Sequence, residues 1–195
     1  MLVGDPEPWR IMGLASKACL YGTSKRKRLR TLCWDGPNNI DRNGFIYVYV
    51  CDADKALPYY KIGTTERSPE IRLKEWKGAR LRRGFGVAHH KLAEHLVFAM
   101  LSDVRMIRHY NLKDKTYTSV WYTDGKAVTS EDQKRMDKGL GDCKRHIEWF
   151  SISGGEEYLF YVIEEVYKLV NDWEHRHAKL KSYVDARKTL GQDPP

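Results

Sequence analysis

Residues 44–76 read GFIYVYVCDADKALPYYKIGTTERSPEIRLKEW. Tyr47, Lys61 and Arg72 place a phenol, an ammonium and a guanidinium in one short stretch. Those groups suit a phosphodiester. Its hydrolysis needs an activated water, neutralised charge on the phosphate and a stabilised leaving oxygen. A hydrogen-bonded tyrosine can pass a proton, and an arginine can meet phosphate with two parallel donors. A lysine can bind phosphate or, if its pKa falls, transfer a proton. A carboxylate holding a divalent metal can serve the leaving oxygen.

The same stretch predicts the elements that would position these groups. Phe45–Cys51 and Tyr59–Thr64 are rich in β-branched and aromatic residues, and Asp52, Asp54 and Pro58 between them are turn chemistry. This is an antiparallel hairpin with a long polar connection. Ser68 suits a helix N-cap, Pro69 the first helical position and Glu70 the positive end of the dipole, so a helix runs over about 69–77. It sets Arg72 and Trp76 on one face. Phe45, Tyr47 and Tyr49 alternate with Ile46, Val48 and Val50, so both faces of the first strand are bulky and that strand should be central or covered.

Ile46-Tyr47, then Lys61-Ile62-Gly63, then Arg72 nine residues after the glycine, followed by Trp76, Glu94 and CKRHIEWF (143–150), form an ordered set. The set resembles the GIY-YIG nuclease superfamily over roughly 44–152. Two branches are most similar: a phage-type DNA-binding domain whose second half-motif reads KIG, and a fungal domain named for a meiotically up-regulated gene. The resemblance implies an α+β fold, a small antiparallel sheet flanked by helices. It implies a DNA endonuclease or nicking enzyme dependent on Mg²⁺ (or Mn²⁺). By the same resemblance Tyr47 is linked to water activation, Arg72 contacts phosphate, Glu94 binds the metal and Gly63 is the motif glycine. Lys61 stands where the second tyrosine of the nuclease pattern would be, which is normal for the two closer branches. Phe98 stands where the fungal branch carries a histidine, and Glu148 is a second-rank candidate for supporting the metal site. These departures keep a non-catalytic DNA-binding module open as the alternative.

The formal net charge of +8 favours a polyanionic partner, DNA first and RNA as the alternative. The charge is concentrated in two stretches. Lys74, Lys77, Arg80, Arg82, Arg83 and Lys91 face only Glu75, and form the expected nucleic-acid-binding set. Its middle, 78–88, has three glycines and reads as a loop that either follows a backbone or merely connects. The other stretch, KRKRLR over 25–30, is a nuclear localisation signal, an arm that touches phosphates or a solvated loop. Cys19, Cys33, Cys51 and Cys143 are scattered and no signal peptide is evident, which points to reduced thiols inside the cell. The expected place is the nucleus in a eukaryote and the cytoplasm otherwise. No window approaches the ~18 apolar residues of a membrane span. Cys143-x-x-His146, with His89 and His90, has zinc-ligand types but no second pair at finger spacing.

Elsewhere, Trp9, Ile11, Met12 and Leu14 predict a short packed helix from Pro8, and residues 36–39 a loop. Leu92, Leu96, Met100 and Val104 predict a helix over 90–106, with Glu94, His95 and Phe98 off its apolar stripe. Residues 108–142 read as an insertion containing a strand near Val120–Tyr122, and Ile147–Ile152 as a further strand. Leu159, Val162, Ile163, Val166, Val170 and Trp173 begin a single helix over about 156–187. At ~1.5 Å per residue it outruns a small domain, so its second half is exposed or docked on a partner. That leaves a third reading, a protein–protein adaptor or self-association through this helix. The expected organisation is a basic extension (1–43), a core domain (44–152) and a C-terminal helix (153–190).

Overall fold

The computed structural model describes residues 7–14, 23–51, 59–75, 79–111, 113, 117–122, 143–152 and 155–192. Helices α1 (Pro8–Ile11) and α2 (Thr23–Asp35) lead into strands β1 (Gly44–Cys51) and β2 (Tyr59–Thr65). Helix α3 (Pro69–Leu73), strand β3 (Ala79–Val87) and helix α4 (His90–Met100) follow. A 3-10 turn over Ser102–Val104 precedes strands β4 (Arg105–Asn111), β5 (Tyr117–Tyr122) and β6 (Cys143–Ser151). Helices α5 (Gly155–Asn171) and α6 (Trp173–Thr189) close the chain.

The strands form one six-stranded antiparallel sheet in the order β3-β1-β2-β6-β4-β5. The architecture is α+β with helices against an antiparallel sheet, as expected. Strand β1 pairs on both edges, which explains why both of its faces are bulky. On one face Ile46, Val48 and Val50 join Ile62, Phe85 and Phe150 in the main core, closed by Leu92, Leu96 and Met100 of α4 and by Leu159, Val162 and Val166 of α5. By register the other face carries Tyr47, Tyr49, Lys61, Trp149 and Met106. Its apolar part is small: Cys51, Met106 and Trp149, with the Arg108 guanidinium 4.6 Å from the Trp149 ring.

Four local expectations are corrected. Residues 79–87 are strand β3, not a loop, and pair along the whole of β1. Phe85 and Val87 enter the core and alternate with the exposed Gly84 and Gly86, a period of two that the glycines and arginines obscured. The helix expected to reach 106 ends at Met100, and Arg105 begins a strand. The single C-terminal helix is two, with Asp172 between them. The second is not left exposed: Trp173, Leu180 and Val184 are buried in the chain itself. Trp173 packs on Gly36, where a Cβ would lie 2.9 Å from the ring, and Arg176 Nη1 donates to the Met12 carbonyl at 2.8 Å.

The basic run 25–30 is helical rather than a loop or a free arm. Lys25, Leu29 and Cys33 recur every four residues and are buried. Lys25 Nζ meets Asp103 at 3.0 Å, and Arg30 meets Glu7 at 2.9 Å. With Trp9, Met12 and Leu14 also in the core, the N-terminal helices are part of the folded body. The start of α4 is held by Asp41, which accepts from the Lys91 and Leu92 amides at 3.0 and 2.9 Å. No helix among the described residues is long and apolar enough to cross a membrane.

Candidate functional site

The site is built from gaps as much as from side chains. Tyr47 is flanked by glycines on both neighbouring strands: Gly63 on β2 and Gly84 on β3. A Cβ at Gly63 would stand 2.6 Å from the Tyr47 hydroxyl, and one at Gly84 would stand 2.8 Å from Pro69 Cγ. One glycine clears room for the phenol and the other for the first residue of α3. The Tyr49 hydroxyl donates to the Pro69 carbonyl at 2.5 Å, and the Tyr47 and Tyr49 rings stack at 4.3 Å. Ser68 Oγ accepts from the Ile71 amide at 3.3 Å, capping α3 as its sequence predicts.

Helix α3 is shorter than expected, ending at Leu73. It still delivers Arg72 beside Tyr47, where the charge of the guanidinium favours the ionised phenol. Arg72 also pairs with Glu75, which takes Arg67 as well at 2.5 Å. Burial pushes the Tyr47 hydroxyl above the usual tyrosine range, and Arg72 opposes the shift only in part. Tyr47 is therefore a neutral phenol near pH 7, able to position a water or relay a proton.

The other half of the site lies where the sheet parts. Strands β2 and β6 pair from Tyr59–Ser151 to Lys61–Trp149 and no further. At that fork the Lys61 ammonium pairs with Glu148. Lys61 is 2% exposed and Glu148 38%, so the pair spans from interior to surface. Burial lowers the Lys61 pKa, with Glu148 and Glu94 opposing it and Arg72 adding to it. Glu94 arrives from α4, and its Oε1 accepts from Thr64 Oγ1 at 3.1 Å. Its charge acts on both Tyr47 and Lys61.

The structure thus gathers Tyr47, Lys61, Arg72, Glu94 and Glu148 from β1, β2, α3, α4 and β6 into one polar neighbourhood. The basic set is dispersed. Lys74, Arg80 and Lys91 are exposed, and Lys77 lies outside the described residues. Arg82 pairs with Glu156 at 2.6 Å and Arg83 with Glu164 at 3.2 Å, both on α5. Arg105 was missed by sequence reasoning, hidden in a helix that does not extend that far. The carboxylates of Glu94 and Glu148 act on its guanidinium. The run RMIRHY, with its β-branched and aromatic members, was the signal for a strand there.

Among the described residues no group of three His, Cys, Asp or Glu side chains is placed to hold a metal. His90 is engaged by the Arg42 carbonyl at 2.8 Å and lies 3.5 Å from Asp41. The side chains of Cys143 and His146, the permissive zinc spacing, lie outside the described residues.

The family model of the T5orf172 domain matches residues 44–174, from β1 to the start of α6. No curated protein and no solved structure matches the chain. The T5orf172 family is distinct from the GIY-YIG family, so the resemblance to GIY-YIG nucleases is corrected. The roles that came with it lose that support, and Tyr47, Lys61, Arg72 and Glu94 rest on their chemistry and placement alone. The match spans well over half of the 195 residues, and the chain belongs to the T5orf172 domain family, a family of DNA-binding and nuclease-associated domains.

Proposed function

We propose that the chain binds DNA and hydrolyses its phosphodiester backbone at the cluster of Tyr47, Lys61, Arg72, Glu94 and Glu148. The observation that carries this reading is the meeting of a phenol, two cations and two carboxylates at the fork between β2 and β6. Arg72 is a third exposed and can turn a face of its guanidinium to a phosphate while staying beside Tyr47. Tyr47, held neutral by burial, positions the attacking water and relays its proton. Lys61 holds Glu148 and adds positive charge under the incoming phosphate.

Glu94 and Glu148 suit a hard divalent cation of the Mg²⁺ type, which binds through one or two carboxylates and keeps most of its waters. Such an ion, when bound, would neutralise charge at the leaving oxygen. The experiment is nicking of supercoiled DNA by the full chain with Mg²⁺, Mn²⁺ or EDTA, comparing wild type with Glu94→Gln. The expected result is metal-dependent nicking by wild type, reduced at least about 100-fold by Glu94→Gln, with DNA binding kept. Nicking that survives the substitution would remove Glu94 from the site.

A second reading is a DNA-binding module without turnover. It is favoured by the Lys61–Glu148 pair, which engages one of the two carboxylates, and by the small donor set among the described residues. Salt-sensitive DNA binding with no nicking in any metal would select it.

A further inference from the structure

A cleft of about 470 Å³ opens at the end of the sheet where β1 begins and β3 ends. Phe45 and Gly86, partners in the β1–β3 ladder, line it together with Asn43, Glu66 and Asn171. Phe45 lies on the same face of β1 as Tyr47, so the cleft adjoins the polar cluster. Glu66 belongs to the link between β2 and α3, the helix that carries Arg72.

Nothing in the packing requires a glycine at position 86. A Cβ there would meet only Phe45 Cε1, at 3.8 Å, which is ordinary contact, and its φ is not positive. Gly63 and Gly84 differ, since their added methyls would strike Tyr47 and Pro69. The missing side chain of Gly86 leaves room beside the half-buried Phe45 ring. Around that room stand uncharged donors and acceptors and one carboxylate. The Ala88 amide donates to Asn171 Oδ1 at 2.8 Å, which orients that side chain and leaves its NH₂ group to donate. Among the described residues, the Glu66 carboxylate and the Asn43 amide have no hydrogen-bond partner in the fold, and no lysine or arginine lines the cleft. A phosphate would meet a carboxylate there and no cation. A nucleobase would meet a ring to stack on and polar groups for its edge.

We infer that this cleft takes one unstacked nucleobase of the bound DNA strand, its ring against Phe45 and its exocyclic amino group toward Glu66. The volume is in the range that holds a small ring compound. A carboxylate accepts from the amino group of cytosine or adenine, whereas thymine has no amino group and presents carbonyl oxygens. Thymine is therefore the poorest occupant. Two residues along β1 span about 7 Å, which sets the base beside a phosphate at the polar cluster. The inference rests on the proposed function for DNA as the ligand, and not for hydrolysis.

The test is binding of the full chain to three short single strands of equal length, read by anisotropy: one of deoxycytidine, one of thymidine and one wholly abasic. The abasic strand keeps every phosphate and loses every base. Wild type should bind the deoxycytidine strand about 5–10-fold more tightly than the abasic one, the lower part of the range for stacking on one aromatic ring. Gly86→Val fills the cleft with a side chain that suits a strand, and should abolish most of that ratio while keeping affinity for the abasic strand. Phe45→Leu, which keeps an apolar side chain and loses the ring, should do the same. Glu66→Gln should bring thymidine binding up toward deoxycytidine binding, and an unchanged gap would overturn the assignment of the amino group. Wild-type ratios in folded Gly86→Val and Phe45→Leu, with metal-dependent nicking by wild type intact, would overturn the cleft and leave the proposed function standing. A ratio lost in both variants, with no nicking by wild type in any metal, would uphold the cleft and overturn hydrolysis. Wild type that binds none of the strands would overturn both. Thermal melting of each variant by circular dichroism separates lost contacts from lost folding.

Discussion

The two faces of strand β1 are equally bulky in sequence and are held in place by opposite means. Ile46, Val48 and Val50 are fixed by filling space: they belong to the main apolar core, with side chains of the sheet and of α4 and α5 packed in the same cluster. Tyr47 and Tyr49 are fixed by space left empty, since Gly63 and Gly84 yield room to a phenol and to Pro69. The first face stores stability. The second spends some on a buried ammonium, a desolvated phenol and carboxylates that face solvent. A polar cluster of this kind forms where small residues and a fork in the sheet keep the core from closing.

Substitutions can test that contrast, beginning with the largest effect on folding. Ile46→Ala leaves a cavity under a residue that is 1% exposed, and should cost about 2–5 kcal/mol in urea denaturation. Residual DNA binding per folded molecule should be unchanged. Gly63→Ala attacks the other face. Its new methyl must displace the Tyr47 hydroxyl, so it should cost about 1–3 kcal/mol and also abolish nicking. If the Gly63→Ala protein retains full nicking, the position of Tyr47 does not matter to the chemistry. If Ile46→Ala harms nicking more than folding, the division between the two faces fails.

Lys61→Met should fall on the other side of zero. It replaces a buried ammonium by an apolar chain of like length, while Glu148 keeps access to water. Removing a desolvated charge whose partner can rehydrate should leave stability within about 1 kcal/mol of wild type, on the stabilising side. DNA affinity or nicking should fall. A clear loss of stability would mean that the Lys61–Glu148 pair serves the fold rather than the site.

How far the sequence carried this picture depended on the range of the cause. The hairpin, the Ser68-Pro69 helix start and the main-core stripe of α5 are local patterns and were legible. Tyr47, Lys61, Arg72 and Glu94 were singled out through a resemblance to a family that is not the one the chain belongs to, and the fold brings them into one neighbourhood. What could not be read was the company each charge keeps. The arginines of β3 and those of α2 look alike in sequence, yet Arg82 and Arg83 meet glutamates of α5 while Arg30 meets Glu7 ahead of α1. That difference is set by contacts between elements distant in the chain, and it carries no local signal. Arg105 was lost for a simpler reason: the apolar stripe of α4 runs on smoothly into residues that turn and become a strand.

The smallest expected effect is a pH dependence centred on the second face, which holds Lys61, Tyr47 and Tyr49 away from their usual pKa. Lys61 is depressed by burial below its ordinary 10.5. In the unfolded chain it keeps its proton up to that pH, while in the folded protein it releases it earlier. Between those two pH values the unfolded state binds more protons, so Lys61 makes stability rise with pH, and that contribution is lost as pH falls through the folded pKa. Tyr47, Tyr49 and Tyr60 are raised above 10.0 by burial. There the unfolded chain loses protons first, so stability falls as pH passes the ordinary tyrosine value. Lys61 should therefore make urea midpoints climb toward its ordinary 10.5, and the tyrosines should make them drop past 10.0. In Lys61→Met the climb should flatten while the drop remains, and in Tyr47→Phe the drop should shrink while the climb remains. A climb of equal size in Lys61→Met would show that the buried ammonium carries no strain in the fold, and the cost assigned to the second face would have to lie elsewhere.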